Sequence, residues 1–194
     1  MAEITLQTPL TEQVVRDLKL QDTVYIDGHI YGIRDATQIR IFDEGVEPPM
    51  DLKGAFLLHT APGVKKREDG GYDPVCIGTT TSARMVRFTE PLGRDYGVRA
   101  VCGKGGFPDE AIEPMHRLGM VYFAIVGGAA ALETTQIEEI EEVAWEELMP
   151  ECLWKFRVKD FGPLTVGIDA HGNSLYHDVQ TAAQEKLKEL FARM

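Results

Sequence analysis

Four apolar runs constrain this chain more than any other feature: residues 54–60, 98–102, 120–126 and 164–168. Each is too short for a helix of ordinary length, and each is cut off by a turn. The stops are Ala61-Pro-Gly63, Gly103-Lys-Gly-Gly106, Gly127-Gly-Ala-Ala-Ala-Leu132 and Asp169-Ala-His-Gly-Asn173. Brief apolar runs bounded by such residues read as strands, those at 54–60 and 164–168 as buried ones. Around them the pattern turns helical. Thr11 caps a short helix to Leu18, and a second runs over 36–42 until Gly45 and the Pro48-Pro49 pair end it. Pro108 opens another at its first turn, and 180–194 is an amphipathic C-terminal helix. A mixed order of β and α over 194 residues predicts the α/β class: one domain over 1–194, with a substantial mixed sheet and flanking helices.

The remaining segments are assigned by the same signals. Residues 3–6 alternate like an edge strand, and 22–28 followed by 30–33 reads as a hairpin about Gly28. Residues 65–71 form a charged, glycine-rich loop, and a strand at 75–77 leads into a helix that ends near Pro91-Leu-Gly93. Residues 153–158 alternate strictly as a strand. The glutamate-rich stretch from Thr134 reads as a helix with a solvated acidic face.

Charge narrows the partners. A net charge of −11 argues against nucleic acid or an anionic membrane surface. No apolar run approaches the roughly 20 residues needed to cross a bilayer. The first residues lack the basic and apolar regions of a signal peptide, so the cytoplasm is the expected compartment. Three widely spaced cysteines, Cys76, Cys102 and Cys152, suit reduced thiols rather than a disulfide framework.

The chemistry gathers where strands meet turns. Gly78-Thr-Thr-Thr-Ser-Ala-Arg-Met85 sets four hydroxyls beside a guanidinium, at what reads as the start of a helix. Such a start favours an anion, but Ser and Thr are also the commonest plain caps, and both readings stand. Arg34, after Ile33, and Lys104, within Gly103-Lys-Gly-Gly106, follow strands in the same way. Loops leaving strand ends are where α/β proteins build sites. Arg34, Arg84 and Lys104 converging on one spot would take a small dianion; on separate surfaces they would be ordinary solvated cations. Gly-Lys-Gly-Gly lacks the upstream glycine and the Ser/Thr of a Walker motif. The five histidines are scattered and read as structural or exposed.

In series, Arg34-Asp-Ala36, Gly78 to Met85, Gly103-Lys-Gly-Gly106, Val126-Gly-Gly-Ala-Ala-Ala-Leu132, Met149-Pro-Glu-Cys-Leu-Trp154 and Ile168-Asp-Ala-His-Gly-Asn-Ser-Leu-Tyr176 form a specific set. Together they resemble the β subunit, or C-terminal half, of iron–sulfur class I fumarases and L(+)-tartrate dehydratases. The resemblance implies a swivelling β/β/α-type domain and reversible hydration of a dicarboxylate. It implies a hetero-oligomer with an α subunit carrying a [4Fe–4S] cluster and the opposing catalytic Asp, with pairing of two β copies when isolated. Carried over by motif, Thr80 corresponds to the residue that moves the proton on the substrate carbon. Arg34, Arg84 and Lys104 correspond to the carboxylate-binding groups. The chain departs from the family pattern at two points: Thr79 stands where proline is common, and the pair Thr37-Gln38 stands where Ala-His is common.

Overall fold

The computed structural model describes residues 2–127 and 130–192. In chain order the elements are β1 (Glu3–Gln7), α1 (Glu12–Asp17), β2 (Thr23–Ile33), α2 (Asp35–Phe42), β3 (Phe56–His59), β4 (Gly63–Lys66) and β5 (Tyr72–Cys76). A 3₁₀ segment, Ala83–Phe88, runs into α3 (Thr89–Tyr96), followed by β6 (Ala100–Gly103), α4 (Ile112–Leu118) and β7 (Val121–Ala124). The remainder is α5 (Ala130–Thr134), β8 (Ile137–Ala144), β9 (Leu153–Ile168) and α6 (Leu175–Phe191).

Seven strands form one mixed sheet in the order β1-β2-β3-β6-β7-β9-β8, and β4 with β5 forms a separate two-stranded ribbon. Strands β2, β3, β6 and β7 run parallel, whereas β9 is antiparallel to β7. Strand β9 is long enough to turn back and pair antiparallel with β2 as well. That second pairing closes β2, β3, β6, β7 and β9 into a ring.

Alternation along each strand sends one set of side chains into the ring and the other outward. Ile26, Phe56, Cys102, Phe123, Phe161 and Val166 belong to the inner cluster. The outward residues Leu57, Val101, Tyr122 and Ile168 pack under Phe88, Leu92 and Met115 from the helical side. Both faces of β3, β6 and β7 are therefore covered, which is why their sequences are apolar without a break. Phe56 and Phe123 stack at 5.6 Å inside the ring, and each buried aromatic stabilises the fold by about 1.5–3 kcal/mol.

This is the expected α/β class, with helices flanking a mixed sheet. Thr11 caps α1 by accepting from the Val14 N–H, and β1 lies at the sheet edge, as read from sequence. Several local expectations are corrected. Residues 23–33 are one strand, not a hairpin: β2 bends past Gly28 through register shifts against β9. The glutamate-rich stretch is strand β8, not a helix, and Arg157 of β9 pairs with its Glu138, Glu139 and Glu141. The 65–71 loop is shorter than expected, because Lys65 and Lys66 lie in β4. Pro91 sits in the first turn of α3 rather than at its end, and Gly97 in the left-handed conformation ends that helix. The long strand β9 joins two segments read separately, and α6 begins before residue 180. Residues 128 and 129 of the expected 127–132 turn, and 193 and 194 of the C-terminal helix, lie outside the described residues.

Candidate active site

Parallel strands all present their C-terminal ends on one rim of the ring, and the candidate residues follow from three of those ends. Strand β2 delivers Arg34 as the residue preceding α2. Strand β3 ends at His59, whose carbonyl accepts from the Thr80 N–H at 2.9 Å, while Thr60 bridges to Thr79. Strand β6 ends at Gly103, and Thr81 bridges in parallel to Lys104. The Lys104 N–H donates to the Thr80 carbonyl and the Lys104 carbonyl accepts from the Ser82 N–H, both at 3.1 Å. The 78–82 segment is thus stitched between the ends of β3 and β6.

Two glycines permit this. Gly78 adopts φ +60°, and a Cβ there would run into the Ala61 carbonyl. At Gly103 a Cβ would occupy the place of the Ser82 hydroxyl and press on the Thr80 carbonyl.

Of the four residues singled out from sequence, Thr80 and Arg84 touch directly: Arg84 Nη2 donates to Thr80 Oγ1 at 3.2 Å. Lys104 flanks Thr80 through its main chain. Arg34 reaches the group through a residue the sequence reading passed over. Asp35 accepts from Arg84 Nε at 2.8 Å and Nη2 at 2.6 Å, and also from Arg34 Nε at 3.3 Å. Arg34 Nε lies equally near Glu151 Oε1, at 3.3 Å. Partial burial pushes the Asp35 carboxyl up, but the hydrogen bonds and charge of Arg84, aided by Arg34, outweigh it and hold the group below the usual carboxylate range.

The cations are therefore not equivalent. Arg84 spends most of its fork on Asp35, Thr80 and the Thr81 carbonyl. The terminal nitrogens of Arg34 and the ammonium of Lys104 have no partner among the described residues. Among the described residues, Arg34 and Lys104 thus keep uncommitted donors, while Arg84 holds its donor against the threonine hydroxyl.

The expected capping role of the hydroxyl run does not occur. Ser82 is the residue before the 3₁₀ segment, and its side chain makes no cap bond. Instead Ser82 Oγ lies 2.9 Å from His59 Nδ1 and 3.1 Å from the Tyr122 hydroxyl. Thr79 Oγ1 is buried without a partner. The anion reading of this stretch therefore rests on side chains and not on a helix terminus.

His59, read from sequence only as structural or exposed, is structural. It is 1% exposed, lies edge-on to Phe107, and its Nε2 is buried with no partner. Burial pushes it down to about 3, with Asp35 opposing and Arg84 adding to the effect, so the imidazole is neutral. The usable signal was its position as the last residue of an apolar strand leading into the same rim as Arg34 and Lys104.

Hollows of about 420 and 390 Å³ lie elsewhere, around Pro9–Glu12 with Arg99 and around Glu47–Lys53 with Gly97. They sit at the opposite ends of β3 and β6 and include none of the four candidates. Thr80, by contrast, is 9% exposed and sits between the ends of β3 and β6.

Comparison with known proteins gives consistent findings. The family described as Fumarase C-terminus matches residues 1–179. The L(+)-tartrate dehydratase subunit beta of Escherichia coli K12 is 40% identical over 171 residues, covering 88% of this chain and 85% of that protein. A provisionally named L(+)-tartrate dehydratase subunit beta from Methanocaldococcus jannaschii is 39% identical, covering 93% and 95%. A provisionally named class I fumarate hydratase from Geobacillus stearothermophilus is 39% identical over 96% of this chain, which spans only 36% of that protein's length.

Proposed function

Because this chain belongs to the Fumarase C-terminus family, we propose that it is the β subunit of a two-subunit hydro-lyase that reversibly hydrates fumarate to (S)-malate. The observation that carries this reading is a threonine hydroxyl held by an arginine, with two further cations at the neighbouring strand ends. A binding module needs the cations alone; the hydroxyl aligned with a guanidinium argues for proton transfer.

In this reading Arg34 and Lys104 take the substrate carboxylates, Arg34 through its terminal nitrogens as a fork and Lys104 as a point charge. Removing a proton from the carbon beside a carboxylate builds negative charge, which fixed cations stabilise. Thr80 Oγ1 takes that proton in dehydration and returns it in hydration. The Arg84 donor and the surrounding positive groups make the deprotonated oxygen accessible near neutral pH. Asp35 neutralises part of this charge and fixes the Arg84 fork.

The [4Fe–4S] cluster implied by the resemblance does not fit this chain. Cys102 and Cys152 are buried, Cys76 is exposed on β5, and no group of three His, Cys, Asp or Glu residues among those described could hold a metal ion. The cluster is assigned to the partner α subunit, and with it the opposite half of the site.

A second substrate has its own support: two relatives that this chain covers almost end to end bear the tartrate dehydratase subunit beta name. Anaerobic co-expression with the α subunit, assayed on fumarate and on L(+)-tartrate, decides between them. Turnover of fumarate supports the first reading, turnover of tartrate the second. Turnover of neither by an assembled complex with an intact cluster would overturn both.

A further inference from the structure

Taking each of the three contacts around Ser82 as a hydrogen bond with its own hydrogen fixes one arrangement of hydrogens. The Tyr122 hydroxyl lies 2.8 Å from the Gly103 carbonyl and 3.1 Å from Ser82 Oγ, which in turn lies 2.9 Å from His59 Nδ1. A carbonyl can only accept, so the single hydrogen of Tyr122 goes to Gly103. The Ser82–Tyr122 bond then needs the serine hydrogen. That leaves the Ser82 oxygen as acceptor for an Nδ1–H of His59. Three bonds use three hydrogens, all pointing the same way. His59 Nε2 is left as a bare, buried lone pair.

We propose that His59 is a positioning residue for Thr80, acting as the Nδ1–H head of a directed chain, His59 to Ser82 to Tyr122 to Gly103, that clamps the threonine turn onto the ends of β3 and β6. The inference rests on the catalytic reading of Thr80 given above. Main-chain bonds act together with the chain: the His59 carbonyl holds the Thr80 N–H, so both ends of one residue brace the turn. Phe107 packs against the ring and fixes its plane. The neutral imidazole keeps the chain intact, since a proton on Nε2 would set a buried charge near Arg84. His59 does not touch Thr80 Oγ1. Its influence passes through the backbone and Ser82.

Two measurements test this, one of which does not depend on turnover. In the full chain, long-range proton–nitrogen correlation should report His59 with Nδ1 protonated and Nε2 bare. A protonated Nε2 would overturn the directed chain. His59→Phe keeps the packing on Phe107 but removes the donor, and should shift and broaden the Thr80 methyl resonance. His59→Asn, whose amide reaches the Nδ1 position, should restore it. An unmoved Thr80 methyl in folded His59→Phe refutes the positioning role even if the complex proves to use another substrate. In the assembled holoenzyme, His59→Phe should lower kcat roughly 10- to 100-fold with KM nearly unchanged, because Arg34 and Lys104 are left in place. His59→Asn should recover most of the loss. A normal kcat in His59→Phe, or a change confined to KM, would count against the inference.

Discussion

Thr80 is defined by what surrounds it more than by its own chemistry. Removing its hydroxyl with Thr80→Ala should lower kcat by at least about 100-fold while leaving assembly with the α subunit intact, as read by steady-state kinetics and gel filtration. Near-normal turnover would move the base elsewhere. Arg84→Lys tests the geometry of the fork: a lysine has the charge but cannot span Asp35 and Thr80 together, so kcat should fall by about 100-fold. Unchanged kinetics would remove Arg84 from the site. The sign of the His59 effect on stability can be worked out. Its folded value, about 3, lies below the ordinary histidine value, so between about pH 3 and about pH 6.5 the unfolded chain binds the extra proton. Stability is then fully present above that window and is lost as pH falls through it, at up to about 1.4 kcal/mol per pH unit. Thermal melts of wild type and His59→Phe across this range should differ by that slope; parallel curves would mean that His59 is not buried neutral. The four candidate residues were picked out because each followed a strand and formed part of a motif, and the structure brings Thr80 and Arg84 into contact. Asp35 was not picked out, and His59 was read only as structural or exposed, since a counterion and a buried brace have no spacing signature. Their roles exist only once β2 and β3 lie side by side.

Elements built from continuous apolar runs were easy to read, because burial on both faces leaves no competing period. Strand β8 was misread for a definite reason. Ile137, Ile140 and Val143 recur every three residues, a helical spacing, and the intervening glutamates complete the pattern. Register shifts between Ile137 and Glu139, and again between Ile140 and Glu142, insert an extra residue at each step. Those bulges bring Ile137 and Ile140 to the same face of a strand, so tertiary pairing with β9 overrode the local period. Strand β2 shows the converse case, in which a glycine that looked like a turn is a bend within one strand. The close approach of β6 to the threonine turn gives a prediction at this scale. Gly103→Ala should destabilise the chain by about 1–3 kcal/mol through overpacking against Ser82. Its loss of turnover should exceed what the melting shift explains, since the displaced hydroxyl belongs to the Thr80 clamp. A variant with wild-type melting and kinetics would show that the contact yields freely.

At the scale of the molecule, a chain of net charge −11 gathers Arg34, Arg84 and Lys104 on one rim, with Asp35 and Glu151 among them. Purified without its partner, the chain should show neither a cluster absorbance nor hydratase activity, checked by visible spectroscopy and a fumarate assay. Robust activity of the chain alone would defeat the two-subunit proposal. The ring closure described for β2 and β9 has a mechanical consequence for this rim. An open sheet can fan its strand ends apart, because each hydrogen-bonded step adds a little compliance. A closed one cannot, since separating two neighbours requires compressing the others around the circuit. Arg34 and Lys104 follow two strands of that circuit, and Thr80 is pinned by main-chain bonds to the ends of β3 and β6, so their spacing is a property of the hoop and not of any single contact. Strain arriving at one anchor is shared by all of them, and the rim behaves as a fixed template.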